Sequence, residues 1–342
     1  AAQRITALFI WINWPDEYHS WWGIKLLPVV IEEDEGYRNY ICGENGILKK
    51  WLRCGIAGYR LDVADELPDI FLDDLRKSVK SENENAIIIG EVWEDATNKF
   101  AYGQRRKYLL GEELDSVMNY PFADAILNFV RYANGNAFFN AVLSIIENYP
   151  PQVLNVLMNH IGTHDTERAI TRLAGENPDG HDRAWQFEHN TLSEFDYLKG
   201  ISMMKIASLI QFTLPGVPSI YYGDEIGMQG MKDPFNRGCM PWNKPNEELL
   251  KWYKRLGQIR HSSKAFIDGD FEKLYCDGGV IAYSRSSEGD NILVAINNSN
   301  EQKRIFVGTQ WDNSYSLFDE KSVDGFVNLP PYRYTLLSKK EY

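Results

Sequence analysis

The sequence predicts an α/β fold, with parallel βα units of the barrel type over residues 1–263 and a small antiparallel β domain over residues 264–342. Three observations carry this. Strand-like segments alternate with amphipathic helical ones five times, and the polar residues gather at the C-terminal ends of those strands. After Lys264 the pattern changes to short alternating runs separated by Gly, Asp, Asn and Ser. A length of 342 residues suits one large domain plus a small one.

The first strand is expected within "GIAGYRLDVA", where alternation puts Gly58, Arg60 and Asp62 on one face and Tyr59, Leu61 and Val63 on the other. In "ELPDIFLDDLRKSVKSE", Phe71, Leu75 and Val79 fall at helical spacing, with Pro68 near the start, where it is tolerated. The β-branched run "AIIIGEVW" reads as the second strand, and its parity groups Ile87, Ile89, Glu91 and Trp93. "LDSVMNYP" is the third, followed by helices around Ile126 to Val130 and Phe138 to Ile146. "VLNVLMNHIGTHDT" is the fourth. A helix from Tyr197 to Phe212 precedes "LPGVPSIYYGDEIG", where Pro215, Gly216 and Pro218 stop it before the fifth strand. Glu247 to His261 is the last helix of the series. Beyond it "FEKLYC", "GVIAYSR", "NILVAINN", "RIFV" and "RYTLLS" read as short antiparallel strands, in a domain expected to pack on the first.

A net charge of -12 argues against a nucleic-acid surface, which needs clustered Lys and Arg. No segment approaches the roughly 20 apolar residues that would span a bilayer. The four cysteines have neither C-x-x-C metal spacing nor the density of a disulfide-stapled domain, and read as free thiols. "AAQRITALFIWINWP" has an apolar run but no basic leader with a small-residue cleavage site, so it is not read as a signal peptide. A cytoplasmic location, a neutral ligand and no cofactor are the expectations.

If the strands are parallel neighbours, Asp62, Glu91 and Asp165 of "THD" lie at C-terminal strand ends, where a barrel assembles its site. Converging carboxylates suit glycosidic cleavage, whose transition state is cationic at the sugar ring and needs a proton donor at the leaving oxygen. Arg60, on the face of Asp62, would hold it as a carboxylate, which favours Asp62 as nucleophile. Glu91, flanked by Ile89 and Trp93, is expected among apolar groups that keep it a proton donor. Retention would need these two carboxyl groups about 5 to 5.5 Å apart. Each motif alone also suits a structural role: Arg60 and Asp62 an ion pair, Glu91 a helix cap, His164 and Asp165 a turn. Only the combination, in order and at barrel spacing, favours catalysis.

With these residues in place, the sequence resembles the α-amylase superfamily of glycoside hydrolases, most closely its cyclomaltodextrinase, neopullulanase and maltogenic amylase branch. "GYRLDVADE", "GEVW" and "THDTER" carry the resemblance, with "GVPSIYYGDEIGMQG" and "DPFNRGCMPW" in support. It implies a (β/α)8 TIM-barrel catalytic domain and a C-terminal antiparallel β-sandwich. It implies Asp62 as nucleophile, Glu91 as acid/base and Asp165 as stabiliser of the distorted sugar, with Arg60 and His164 around the cleaved residue. Asp233 and Arg237 resemble a pair holding a glucose on the non-reducing side; the alternative is a salt bridge within a loop. Glu66 and Trp93 resemble acceptor-side contacts. Where close relatives often have Asn in "VANE", this sequence has Asp65.

Strands four to eight are recognisable and the first three are not evident. No D-x-x-x-N-H segment is found, and "NWPDEYHSWWGIKLLP" resembles the stretch leading out of the small domain inserted after the third strand. Missing strands would come from residues outside this sequence, a partner or a swapped copy. Calcium sites of some relatives use segments not found here, so no metal is assigned. The expected partner is an α-glucan oligosaccharide, with no nucleic acid and no membrane. Homodimers are expected of the branch, through an extra N-terminal domain not seen here. The expected reaction is retaining hydrolysis of α-1,4-glucosidic bonds in maltooligosaccharides, cyclodextrins or related α-glucans. The alternatives are an α-glucosidase or transglycosylase of the same superfamily, or a noncatalytic carbohydrate-binding fragment.

Overall fold

The computed structural model describes residues 8–318, 322–323 and 325–340. The first seven residues of the N-terminal apolar run therefore lie outside the described residues. The chain divides into two compact units, Ala1–Val117 and Met118–Tyr342.

In the first unit, β1 (Trp11–Asn13) and β2 (Glu17–Tyr18) form a short antiparallel hairpin. Helices α1 (Glu35–Cys42) and α2 (Ile47–Arg53) follow, and the Asp34 carboxylate caps α1 by accepting from Tyr37 N at 2.8 Å. Next come β3 (Gly58–Leu61), α3 (Asp69–Glu82) and β4 (Ile87–Gly90), a parallel βαβ unit with Gly58 opposite Ile87 and Leu61 opposite Gly90. Phe71, Leu72, Leu75 and Val79 form the buried stripe of α3, each worth roughly 1.5–3 kcal/mol in removed apolar area. Gly58 allows the close strand pairing, since a Cβ there would come within 2.0 Å of Ile87 O. The hairpin β5 (Phe100–Ala101) and β6 (Gln104–Arg105) precedes β7 (Ser116–Val117), which pairs in parallel with β4.

In the second unit, α4 (Tyr120–Tyr132) and α5 (Gly135–Asn148) are capped by the Asn119 and Asn134 side chains, and α6 (Pro151–Leu154) is one turn. The strand expected from Val153 therefore begins later, at β8 (Met158–Asn159), because Pro151 at the first helical position favours a turn of helix. Met118 bridges in parallel to Met158. Helices α7 (Ala169–Ala174), α8 (Arg183–Glu188) and α9 (Glu194–Thr213) lead to β9 (Val217–Pro218), which pairs in parallel with β8. Then come α10 (Glu247–Ser262) and α11 (Ala265–Asp268).

The C-terminal strands are β10 (Asp270–Asp277), β11 (Val280–Ser287), β12 (Asp290–Asn297), β13 (Lys303–Phe306), β14 (Ser314–Ser316), β15 (Ser322–Val323), β16 (Phe326–Leu329) and β17 (Arg333–Ser338). Six form an antiparallel sheet in the order β10-β11-β12-β17-β14-β15, while β13 pairs with β16. Val280, Ala282, Leu293 and Leu337 of the large sheet share a buried cluster with Ile305, Val327 and Leu329 of the pair. Strands β14 to β16 were absent from the expected series; the Ser-Tyr-Ser of β14 has no apolar alternation to reveal it.

This sheet is tied to the helices that lead into β9. The buried Arg285 donates to Thr213 O at 2.9 Å, where α9 ends, and Tyr283 Oη lies 2.6 Å from Thr213 Oγ1. Asn298 Nδ2 donates to Phe129 O and Val130 O of α4 at 2.9 and 3.0 Å. Among the described residues, no helix is long and apolar enough to cross a membrane.

Candidate active site

The in-register pairing of β3 with β4 sets Asp62 and Glu91 at equivalent positions, one residue beyond Leu61 and Gly90. Glu91 N donates to Leu61 O at 3.0 Å, continuing the parallel ladder. Arg60 bridges the two acids: Nη1 lies 2.6 Å from Asp62 Oδ1 and Nη2 lies 3.0 Å from Glu91 Oε1. The other Glu91 oxygen accepts from Val63 N at 2.9 Å. Val63 is β-branched yet has φ +45°, a left-handed conformation such residues rarely adopt, and this turn aims its N–H at the carboxylate.

The two acids differ in access. The Asp62 side chain is 74% exposed and that of Glu91 6%. The expected apolar surroundings of Glu91 are corrected here: its oxygens meet a guanidinium and a backbone N–H, and Trp93 is 48% exposed. Strand β4 stops at Gly90, so the alternation that groups Ile87 and Ile89 does not extend to Glu91 and Trp93.

After Val63 the chain makes a 3-10 turn, Ala64–Glu66, that carries two more acids. Asp65 accepts from Tyr108 Oη at 2.6 Å and pairs with Lys99 Nζ at 2.9 Å. Glu66 accepts from the Tyr102 hydroxyl. Lys99, Tyr102 and Tyr108 were missed at the sequence level. The glycine of "FAYGQR" marked a turn there, but a tyrosine before it is not a hairpin signature, so the sequence did not announce the hairpin that carries Tyr102.

The second unit holds the remaining predicted residues. Past β8 the chain runs through Gly162 to Thr163, whose Oγ1 accepts from Asp165 N at 3.2 Å. His164 Nε2 is 3.3 Å from Asp165 Oδ2, and Arg237 Nη2 is 3.5 Å from Asp165 Oδ1. Arg237 Nε also pairs with Asp233 Oδ1 at 2.7 Å. The predicted pair thus forms, and its arginine reaches the third acid as well. Asn236, fully buried, fastens this loop by donating to His164 O and Thr166 O at 2.8 and 2.7 Å.

Beneath that turn lies a buried ionic layer that sequence reasoning missed. The Arg168 guanidinium stacks on the rings of Tyr221 and Tyr222, 4.2 and 4.4 Å from their centroids, donates to Tyr222 O, and lies 3.5 Å from Asp224 Oδ1. Burial pushes Asp224 up to about 7 against the pull of Arg168. Burial likewise pushes His160 down to about 3, so it is a neutral ring packed edge-on against Tyr120. All four cysteines are free thiols. Among the described residues no group of three or more His, Cys, Asp or Glu could hold a metal ion.

The chain as a whole is similar to known proteins. A family model described as the alpha amylase catalytic domain matches residues 10–314. A cyclomaltodextrinase of Thermoanaerobacter pseudethanolicus is 36% identical over 266 residues, covering 76% of this chain and 41% of that protein. Neopullulanase 2 of Thermoactinomyces vulgaris is 30% identical over 292 residues, covering 83% of this chain and 43% of that one. The acarbose-soaked debranching enzyme of Nostoc punctiforme superposes with a TM-score of 0.79 at 25% identity, covering 97% of this chain and 69% of that structure. The chain spans less than half the length of the two curated relatives.

Proposed function

This chain belongs to the alpha-amylase catalytic-domain family, and we propose that it carries the chemistry of a retaining α-glucan hydrolase acting on α-1,4-glucosidic bonds. The observation that carries the reading is the Arg60 bridge between an open Asp62 and a buried Glu91 at adjacent strand ends. In this reading β3, β4, β7, β8 and β9 are strands four to eight of a (β/α)8 barrel.

Asp62 attacks the anomeric carbon, and the glycosidic bond breaks as Glu91 gives its proton to the leaving oxygen. The resulting ester is cleaved by water, whose proton returns to Glu91. Asp165 stabilises the distorted, cationic sugar, while Arg60 and His164 bind around the cleaved residue. Asp233 and Arg237 hold a glucose on the non-reducing side, and Glu66 and Trp93 face the acceptor. Maltooligosaccharides and cyclodextrins are the substrates this reading favours, supported by the name of the cyclomaltodextrinase relative.

Incubating the full protein with cyclodextrin, pullulan, maltotriose and sucrose, and following the first-formed anomer by NMR, tests this. Release of α-anomers from α-glucans is expected. Asp62→Asn should lose about three orders of magnitude or more in rate while keeping sugar affinity. Unchanged turnover in that variant refutes the nucleophile, and inverted product refutes the retaining route.

A further inference from the structure

The Ala64–Glu66 turn, which follows the proposed nucleophile directly, is gripped by the loop after β4. Lys99 and Tyr108 take the two Asp65 oxygens, and Arg106 donates to Asp65 O and Leu67 O. Tyr108 and Arg106 are buried, and together with Lys99 they account for the hold on the turn itself.

Tyr102 is a different kind of contact. Its residue surface is 74% exposed, and Phe100 on the same hairpin is 67% exposed. It occupies the first position of the two-residue turn joining β5 to β6, at φ +53° with Gly103 at +77°. Asn, Asp or Gly is favoured there, and a tyrosine in the left-handed region is disfavoured. A backbone held against preference, presenting a ring to solvent, is the pattern of a functional contact. The contact it makes is a charge-assisted one, from its hydroxyl to Glu66 Oε2. That bond, with burial and the nearby acids, pushes the phenol up to about 12, so it remains a donor at neutral pH.

We propose that Tyr102 is a positioning residue that fixes the Glu66 carboxylate for binding the sugar that accepts the glycosyl group, so that it sets the partition between transfer and hydrolysis. This rests on the retaining reading above. In transfer, a hydroxyl of the acceptor attacks the anomeric carbon of the glycosyl ester; the bond to the Asp62 oxygen breaks, its electron pair returns to that carboxylate, and the hydroxyl proton goes to Glu91. Water competes at the same carbon. With Tyr102 on Oε2, Oε1 of Glu66 accepts from a second acceptor hydroxyl, which water cannot supply, and the exposed rings of the hairpin offer a face for the sugar.

The test uses the full protein with maltotriose as donor and labelled methyl α-glucoside as acceptor, reading the ratio of transfer to hydrolysis. Tyr102→Phe should lower that ratio about tenfold by raising the acceptor concentration for half-maximal transfer, the size expected for a lost bond to a charged group. Glu66→Gln should lower it as well, and adding Tyr102→Phe to Glu66→Gln should change it no further. An unchanged ratio in Tyr102→Phe overturns the proposal while leaving the hydrolase reading standing. So does a parallel loss of both products, which marks a merely structural contact. A wild-type protein that cleaves no α-glucan overturns the hydrolase reading and this proposal with it.

Discussion

Arg60 divides its guanidinium between two carboxylates of opposite access, Asp62 at 2.6 Å and Glu91 at 3.0 Å. A planar fork spans the two with donors on separate nitrogens, whereas an ammonium would need both carboxylates to converge on one nitrogen. Arg60→Lys is therefore expected to behave almost as a deletion, lowering kcat/KM by about 100-fold or more, with Glu91 left short of a donor. Steady-state kinetics on maltotriose reads this, and a loss under fivefold would show that the bridge is not needed.

Asn236 offers a way to move Asp165 without touching it. Its buried side-chain amide supplies both hydrogen bonds that tie the loop bearing Asp233 and Arg237 to the turn bearing His164 and Asp165. Asn236→Ala leaves two carbonyls without these donors and should cost about 2–3 kcal/mol. The activity loss should exceed what unfolding explains, because the Arg237 to Asp165 contact depends on that tie. Urea unfolding and kinetics on the same samples separate the two effects, and a variant with full activity per folded molecule would show that the loop holds its place without Asn236.

The parts legible in the sequence were those set by local periodicity. The helical stripe of Phe71, Leu75 and Val79, the long helix before Pro215, and the register placing Asp62 and Glu91 at strand ends all follow from spacing and breakers. What escaped depends on partners distant in sequence. Glu91 owes its polar surroundings to Arg60 and to the twisted backbone of Val63, about thirty positions earlier, and no window around Glu91 contains them. Arg168 meets Asp224 across 56 positions, and Asn236 meets His164 across 72. Such contacts are created by topology, so composition and alternation are silent about them. Strands β3 and β4 are shorter than the runs that announced them, since the chain turns into the left-handed region at Val63 and gives that N–H to the Glu91 carboxylate.

Gly162 shows how tightly the turn sits on the ionic layer. A Cβ at this position would lie 2.4 Å from Asp224 Oδ2, an atom that is buried and short of hydrogen-bond partners among the described residues. The carboxylate cannot swing away, since Arg168 lies against its other oxygen and is fixed between two tyrosine rings. Gly162→Ala should cost about 1–3 kcal/mol through overpacking, with a loss of activity as the path to His164 and Asp165 shifts. Asp224→Ala alone leaves the buried Arg168 without its carboxylate, but it should cost less in the Gly162→Ala background, where it also removes the clashing atom. If the double variant is no more stable than expected from adding the two single losses, the clash is not the cause.

Glu113 supplies a pH dependence separate from the catalytic acids. Both its oxygens are buried without a hydrogen-bond partner among the described residues, and Lys107 Nζ comes only within 3.7 Å. Burial, with the charge of Asp69, raises its carboxyl to about 7, against about 4.3 in an unfolded chain. Between these values the folded protein holds a proton that the unfolded chain has released. The stability from this group is thus fully present below pH about 4 and is lost as pH rises through about 7. Glu113→Gln keeps the neutral form at every pH. Relative to the wild type, the variant should gain stability on the order of 2 kcal/mol between pH 5 and pH 8. Asp224, raised in the same sense, is present in both proteins and cancels in the difference. Urea unfolding of the pair at several pH values reads the effect directly. Stability differences that stay constant from pH 5 to pH 8 would mean that Glu113 titrates alike in the folded and unfolded chains.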